Sequence, residues 1–211
     1  MRTQDLVRLL ATDPPRLRRP MGDRLLAACL VGGAASCVVF LLVFGVRPDL
    51  AAALRAPAVL FKFVLAATVV LSGFFACRRA ARPDASPGLL GILLPVALVM
   101  ALGVVAELGT TPRAGWMQAA AGDHPFRCLA LLILLSLLPA ALVLLASRPG
   151  APRSPALAGA AAGGLGGGVG AAIFALYCPN DSALFVALWY GAALVLAAGL
   201  GAGAGRRLLA W

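Results

Sequence analysis

Six stretches of this chain are each long enough to cross a bilayer as a helix, and no other feature constrains the fold so strongly. They cover residues 25–46, 58–77, 88–109, 126–147, 156–177 and 183–205, each bounded by charge or proline. A hydrocarbon core about 30 Å thick takes about 20 apolar residues in a helix. Lipid offers no partner to backbone N–H and C=O groups, so such a run satisfies them within itself. The connections RPDLAAALRA, RRAARPDASP, TTPRAGWMQAAAGDHP, RPGAPRSP and CPNDS are short and polar or proline-bearing. None has the length of a second domain. The expected fold is all-α: a polytopic six-helix transmembrane bundle over 24–205, with an N-terminal tail of 1–23 and a C-terminal tail of 206–211.

Composition points the same way. Hydrophobic residues make up 62% of the chain and charged residues 12%, against about 25% charge in ordinary soluble domains. The net charge is +10, but the basic residues sit between apolar runs rather than in one patch. That pattern orients a membrane protein and does not suggest direct nucleic-acid binding. Of the 18 basic residues, thirteen fall on one side: Arg2, Arg8, Arg16, Arg18, Arg19, Arg24, Arg78, Arg79, Arg82, Arg148, Arg153, Arg206 and Arg207. Arg47, Arg55, Lys62, Arg113 and Arg127 fall on the other. The positive-inside rule then places both termini in the cytoplasm of an inner-membrane protein. Asp49, Asp123, His124 and Asp181 lie outside. The first apolar run is full length and follows a polar, arginine-rich segment, so it reads as an uncleaved span rather than a secretory signal.

Glycine supplies the packing signal. The fifth stretch contains AGAAAGGLGGGVGAA and the sixth ends GLGAGAG. Gly159/Gly163/Gly167, Gly164/Gly168 and Gly199/Gly203 have the small-xxx-small spacing that lets helix backbones approach. A phosphate-binding loop is excluded, because no strand precedes the run and no Lys-Ser/Thr follows it. Pro95 and Pro139 fall mid-span and are expected to kink their helices. Glu107 is the one acid inside a span. Lys62, near the outer end of the second span, can snorkel to the interface and is a candidate partner for Glu107.

The chain lacks the equipment of an enzyme. Its only histidine is in a connection, and there is no Ser/His/Asp set, zinc-protease helix or paired intramembrane carboxylate. Cys29, Cys37 and Cys77 read as small buried hydrophobes. Cys128 opens the fourth span and Cys178 closes the fifth, so both thiols belong at the outer end. An outward pair can form a disulfide or bind a soft metal ion, or the two can be unrelated. His124, one turn before Cys128, and Asp181, three residues after Cys178, are candidate further metal ligands. No constitutive cofactor is expected, only a regulatory soft metal ion.

The tail MRTQDLVRLLATDPPRLRRPMGDR carries a short amphipathic helix pattern. Thr3 can cap it, Asp5 sits in its first turn, and Pro14-Pro15 stops it. Leu6, Val7, Leu9 and Leu10 form its apolar face. So short a helix is unstable alone in water and needs lipid, the bundle or a protein partner.

These residues carry a resemblance. The N-tail pattern T-x-D-L-V-x-L-L-A-x-D…P-x-R, the run C-L-x-L-L-I-L-L-S-L-L-P-A from Cys128 to Ala140, and Y-C-P-N-D-S-A-L-F-V-A-L-W-Y-G from Tyr177 to Gly191 resemble the NrsF family of bacterial membrane anti-sigma factors, named for negative regulation of sigma F. The likeness covers nearly the full length, and the last motif is its most specific part. It implies that the cytoplasmic N-tail holds an extracytoplasmic-function sigma factor at the membrane and releases it under stress. It also implies that Cys128 and Cys178 sense heavy metal or redox change. The rival reading is a small transporter or thiol-based membrane enzyme. Such a protein is expected to carry midplane polar residues or broken helices in inverted repeats, and the midplane here is nearly all Ala, Leu, Val and Gly.

Overall fold

The computed structural model describes residues 20–82 and 89–209. The N-tail face of Leu6, Val7, Leu9 and Leu10 lies outside the described residues. No strand occurs among the described residues. Six long helices carry the fold: α1 (Met21–Val43), α2 (Pro57–Ala80), α3 (Leu89–Thr110), α4 (Pro125–Ser147), α5 (Pro155–Phe174) and α6 (Ala183–Leu208). Each is long and apolar enough to cross a membrane. Short helices, Leu50–Ala53 and Trp116–Ala121, sit in the first and third connections. α5 ends three residues before the boundary expected at 177. The chain leaves it in tight turns, with the amides of Tyr177 and Cys178 both donating to the Phe174 carbonyl at 3.0 Å.

Helix starts follow local chemistry. α2, α4 and α5 each open on proline, whose missing N–H is unneeded in a first turn. The Ser154 hydroxyl accepts from Leu157 N to cap α5, and the Ser182 hydroxyl accepts from Phe185 N to cap α6. α2 and α6 end on Arg78–Arg79 and Arg206–Arg207, which suit the negative end of a helix dipole.

α5 is the hub, packing against α1, α2, α4 and α6. Its glycines make this possible by letting neighbouring backbones touch. A Cβ on Gly163 would strike the Ala197 carbonyl of α6, and one on Gly166 would lie 2.7 Å from the Ser136 carbonyl of α4. On the third side, a Cβ on Gly168 would lie 3.0 Å from Val70 N of α2. The spacing reading is correct for Gly159, Gly163, Gly167 and Gly168 but not for Gly164, Gly199 or Gly203. Gly164, Gly199 and Gly203 face open space, and α6 instead offers Ala197, Gly201 and Gly205 to α5. Spacing alone does not tell which of several interleaved small-residue stripes faces inward.

Both mid-helix prolines lie within continuous helix, in α3 and α4. Pro139 is a contact point: a Cβ on Gly32 of α1 would sit 2.6 Å from its Cα. α3 is the outlier. None of residues 91–110 is buried, and the helix packs mainly along α2 and the start of α6.

The bundle has two distinct ends. At one, the Arg148 guanidinium donates to the Leu208 carbonyl, and Gly22 lies against Arg78, so the start of α1 joins the ends of α2, α4 and α6. Cys29 and Cys77 are buried in the apolar cluster there, among Leu25, Val143 and Leu165. At the other end a second cluster gathers Phe40, Cys128, Phe174, Cys178, Phe185 and Tyr190.

Candidate functional site

The site is built on the connection from α5 to α6. Cys178 is 0% exposed. Its carbonyl accepts from the Lys62 ammonium at 3.1 Å and from Arg47 Nη1 at 3.4 Å. The same two cations hold Asp181: Lys62 Nζ lies 2.6 Å from Oδ1 and Arg47 Nη1 3.2 Å from Oδ2. Arg47 also donates its backbone amide to the Leu176 carbonyl at 3.1 Å. Residues from the α1–α2 connection and the first turns of α2 therefore clamp residues 176–181. The Lys62 side chain is wholly buried, with Asp181 and the Cys178 carbonyl as its partners. Hydrogen bonding to Asp49, opposed by burial and aided by Asp181, raises the Arg47 pKa above its ordinary value.

The start of α4 is fastened to the same connection. Asp123 N donates to Asn180 Oδ1 at 3.3 Å, and Asn180 Nδ2 donates back to the Asp123 carbonyl at 3.0 Å. Gly122 just before it has φ 57°, a conformation open to glycine, and a Cβ there would strike the Phe185 ring. His124 follows in the left-handed region with φ 52°, and its carbonyl accepts the Cys128 amide at 3.2 Å. These turns seat Cys128 in the first turn of α4, beside Cys178.

All five cysteines are free thiols. Cys128 and Cys178, fifty positions apart in sequence, share one buried cluster. A hydrogen bond from the Cys128 thiol holds the Cys178 thiol below its ordinary pKa against the opposing effect of burial. The Lys62 charge, Asn180 and the Tyr190 hydroxyl act in the same direction as that bond. The Tyr190 hydroxyl is buried beside the Cys178 sulfur, and it is carried on the π turn Val186–Tyr190. A neutral thiol is a poor acceptor and a thiolate a good one, so this donor is arranged for an ionised sulfur. A pocket of about 470 Å³ reaches Cys128 from outside, between His124, Arg127, Tyr177 and Asn180.

Two expectations need correction. Lys62 does not pair with Glu107. It pairs with Asp181, while Glu107 accepts from the Ser182 hydroxyl at 2.6 Å and from Leu184 N at 3.1 Å, capping α6 and tying α3 to it. The set Cys128, Cys178, His124 and Asp181 does not assemble as a metal centre. Among the described residues no three His, Cys, Asp or Glu side chains group to hold one ion. Asp181 is taken up by two cations, which are stronger partners for a carboxylate than a nearby thiol. The donors present, two sulfurs, fit a low-coordinate soft cation rather than a four-ligand zinc-type site.

Arg47, Asn180 and Tyr190 were invisible as site residues in the sequence. Arg47 and Asn180 look like ordinary connection residues, and Tyr190 like an interfacial aromatic. Lys62 carried a signal, because a lysine inside an apolar run is costly unless paired. Only the fold identifies its partner.

The class defined by this fold and site is a small all-helical protein with six helices of membrane-crossing length and a buried thiol pair clamped at one end. The family model described as "NrsF: Negative regulator of sigma F" matches residues 10–211. The chain is 35% identical to the Anti-sigma-F factor NrsF of Caulobacter vibrioides (strain NA1000 / CB15N), with all of both chains covered. It is 32% identical to the Probable anti-sigma-F factor NrsF of Azospira oryzae (strain ATCC BAA-33 / DSM 13638 / PS), again over all of both chains. No solved structure matches it. The chain belongs to the NrsF family.

Proposed function

We propose that this protein is a non-enzymatic membrane anti-sigma factor. Its six helices insert in the bacterial inner membrane with both termini in the cytoplasm. Residues 1–23 hold an extracytoplasmic-function sigma factor through Leu6, Val7, Leu9 and Leu10, and Cys128 with Cys178 sense heavy metal or redox stress from the outer side. Family membership supports the regulatory role. Insertion is supported by large apolar side chains left exposed along the helices, such as Leu30, Leu42, Leu93, Leu102 and Val195, a surface that water does not tolerate. The observation that carries the sensor reading is the meeting of two free thiols at the end of the bundle away from the termini.

A soft metal ion would supply strong thiolate bonds here, held by Cys128 and Cys178. The chain's own part is to keep Cys178 prone to ionise, to shield both sulfurs from water, and to tie them to α4, α5 and α6. Moving a two-state equilibrium from 1:99 to 99:1 takes about 5.5 kcal/mol of differential binding. Full structural zinc sites supply about 10–16 kcal/mol, so two thiolates fall in a workable range.

The test is the double variant Cys128→Ser/Cys178→Ser. It should retain the sigma factor in a membrane pulldown and fail to release it on treatment with a thiophilic metal or an oxidant. Release at the normal level would refute the sensor. Deleting residues 2–20 should free the sigma factor without stress, and retention would show that the tail is not the holdfast.

A further inference from the structure

We propose that Lys62 is a positioning residue of the thiol site, holding Cys178 against Cys128 so that one reagent can engage both sulfurs. The proposal deepens the sensor reading and rests on it for biological meaning, though not for its geometry. Lys62 enters from α2, a helix that carries neither cysteine. Its ammonium is wholly buried and makes two contacts, one to the backbone carbonyl of Cys178 itself and one to Asp181 three residues later. Those contacts fix the peptide that bears the thiol at both ends of a short irregular segment. Nothing in regular secondary structure would otherwise hold residues 176–181, since α5 has ended and α6 has not begun.

The opposite partner is tied to the same segment. Cys128 is set by the helical start of α4 and by the Asn180–Asp123 bonds. The relation between the two sulfurs therefore rests on those bonds and on how firmly the segment is clamped from α2. A purely structural ion pair would be expected to sit between helices. This one instead terminates on the peptide of a sensing residue. The other charged or titratable groups facing Cys178 are Arg47 from the α1–α2 connection, Asp181 on the same segment, Cys128 and Arg127 from α4, and Tyr190 from α6. Only Arg47 duplicates the carbonyl contact, and at a longer 3.4 Å.

The experiment uses full-length protein in detergent with Cys29, Cys37 and Cys77 replaced by alanine. A bifunctional thiol reagent that fluoresces only after both ends have reacted reports the distance and alignment of Cys128 and Cys178. Lys62→Met keeps the length and apolar stem but removes the donor, and should slow cross-linking at least tenfold. Lys62→Arg keeps a charged donor and should restore most of the rate, which a simple packing role would not do. Equal rates in the parent and Lys62→Met would overturn the proposal, as would a slow Lys62→Arg that is folded and as stable as the parent. If Lys62→Met does not fold, Asp181→Asn tests the same clamp from the other side and should also slow the reaction. Sigma-factor release is scored separately. Lys62-dependent cross-linking with cysteine-independent release would sink the sensor reading and leave this proposal standing.

Discussion

Removing the acid from the clamp should cost more than removing the base. In Asp181→Asn the ammonium of Lys62 loses its counter-ion while its side chain remains 0% exposed. Breaking a buried pair from one side typically costs about 3–5 kcal/mol, because a charge is left without compensation. Two features reduce that here. The Asp181 side chain is 28% exposed, so water already weakens the pair. The Cys178 carbonyl also remains an acceptor for Lys62 at 3.1 Å, and asparagine keeps one amide oxygen. The expected loss is about 2–3 kcal/mol, or roughly 30- to 150-fold in the folding equilibrium. In Lys62→Met the geometry runs the other way. Asp181 keeps Arg47 at 3.2 Å and its access to water, while an apolar chain fills the buried space. That exchange should cost about 0–1 kcal/mol. The double variant should be more stable than Asp181→Asn alone, since it removes the stranded charge. Reversible unfolding in mixed micelles measures all four species. A Lys62→Met protein as unstable as Asp181→Asn would refute the reasoning, and so would a double variant whose losses simply add.

Other consequences are open to direct measurement. Gly201→Ala would drive a Cβ into the Gly159 carbonyl and to 2.9 Å from Gly163 Cα, and should destabilise the bundle by about 1–3 kcal/mol in the same unfolding assay. Gly199→Ala and Gly203→Ala face open space and should be neutral, so a large loss at either would contradict the assigned face of α6. Tyr190→Phe removes a buried donor that acts on the Cys178 sulfur and should move the midpoint of Cys178 alkylation against pH upward, whereas an unchanged midpoint would show that the hydroxyl does not act on the thiol. Cys128→Ala removes the bond that does most to hold the Cys178 thiol below its ordinary pKa. The thiolate fraction of Cys178 at neutral pH should then fall, and the midpoint of its alkylation rate against pH should move upward. A midpoint that stayed or moved down would show that Lys62, Asn180 or Tyr190 holds the thiol low instead.

The six helices were legible because bilayer-length apolar runs are long, bounded and few. Their boundaries differ by at most four residues, the start of α1 at Met21 being the furthest from its expected place. The meeting of Cys128 with Cys178 was legible too, because alternating helices put the start of the fourth and the end of the fifth at one end. The polar network was not. Its pairs run from Arg47 and Lys62 to Asp181, from Asp123 to Asn180, and from Glu107 to Ser182. Each joins two elements whose relative rotation the sequence does not encode. Charge at the right depth suggested Lys62 with Glu107, but depth gives only one coordinate. Rotation decides which of two acids a lysine meets, and the interleaved glycine stripes of α5 and α6 leave several rotations open on spacing alone.

That rotation also bears on how the two ends could communicate. α5 is the element from which the Cys178 segment emerges, and it touches α6 backbone to backbone from Gly163 back to Gly159. α6 then ends at Leu208, whose carbonyl is held by Arg148 at the close of α4. The cysteine on α4 and the segment behind Cys178 are thus joined twice, once through the thiol cluster and once through this far contact. Backbone contacts without intervening side chains leave little slack, because no rotamer change can absorb a displacement. A rearrangement of the sulfurs must therefore either strain locally in the turns 175–182 or move α4 against α5 and α6 together. Local absorption is opposed by the clamp of Lys62 and Arg47, which fixes those turns to the opposite side of the bundle. Loosening the clamp should therefore uncouple the thiols from the termini even when both cysteines are present.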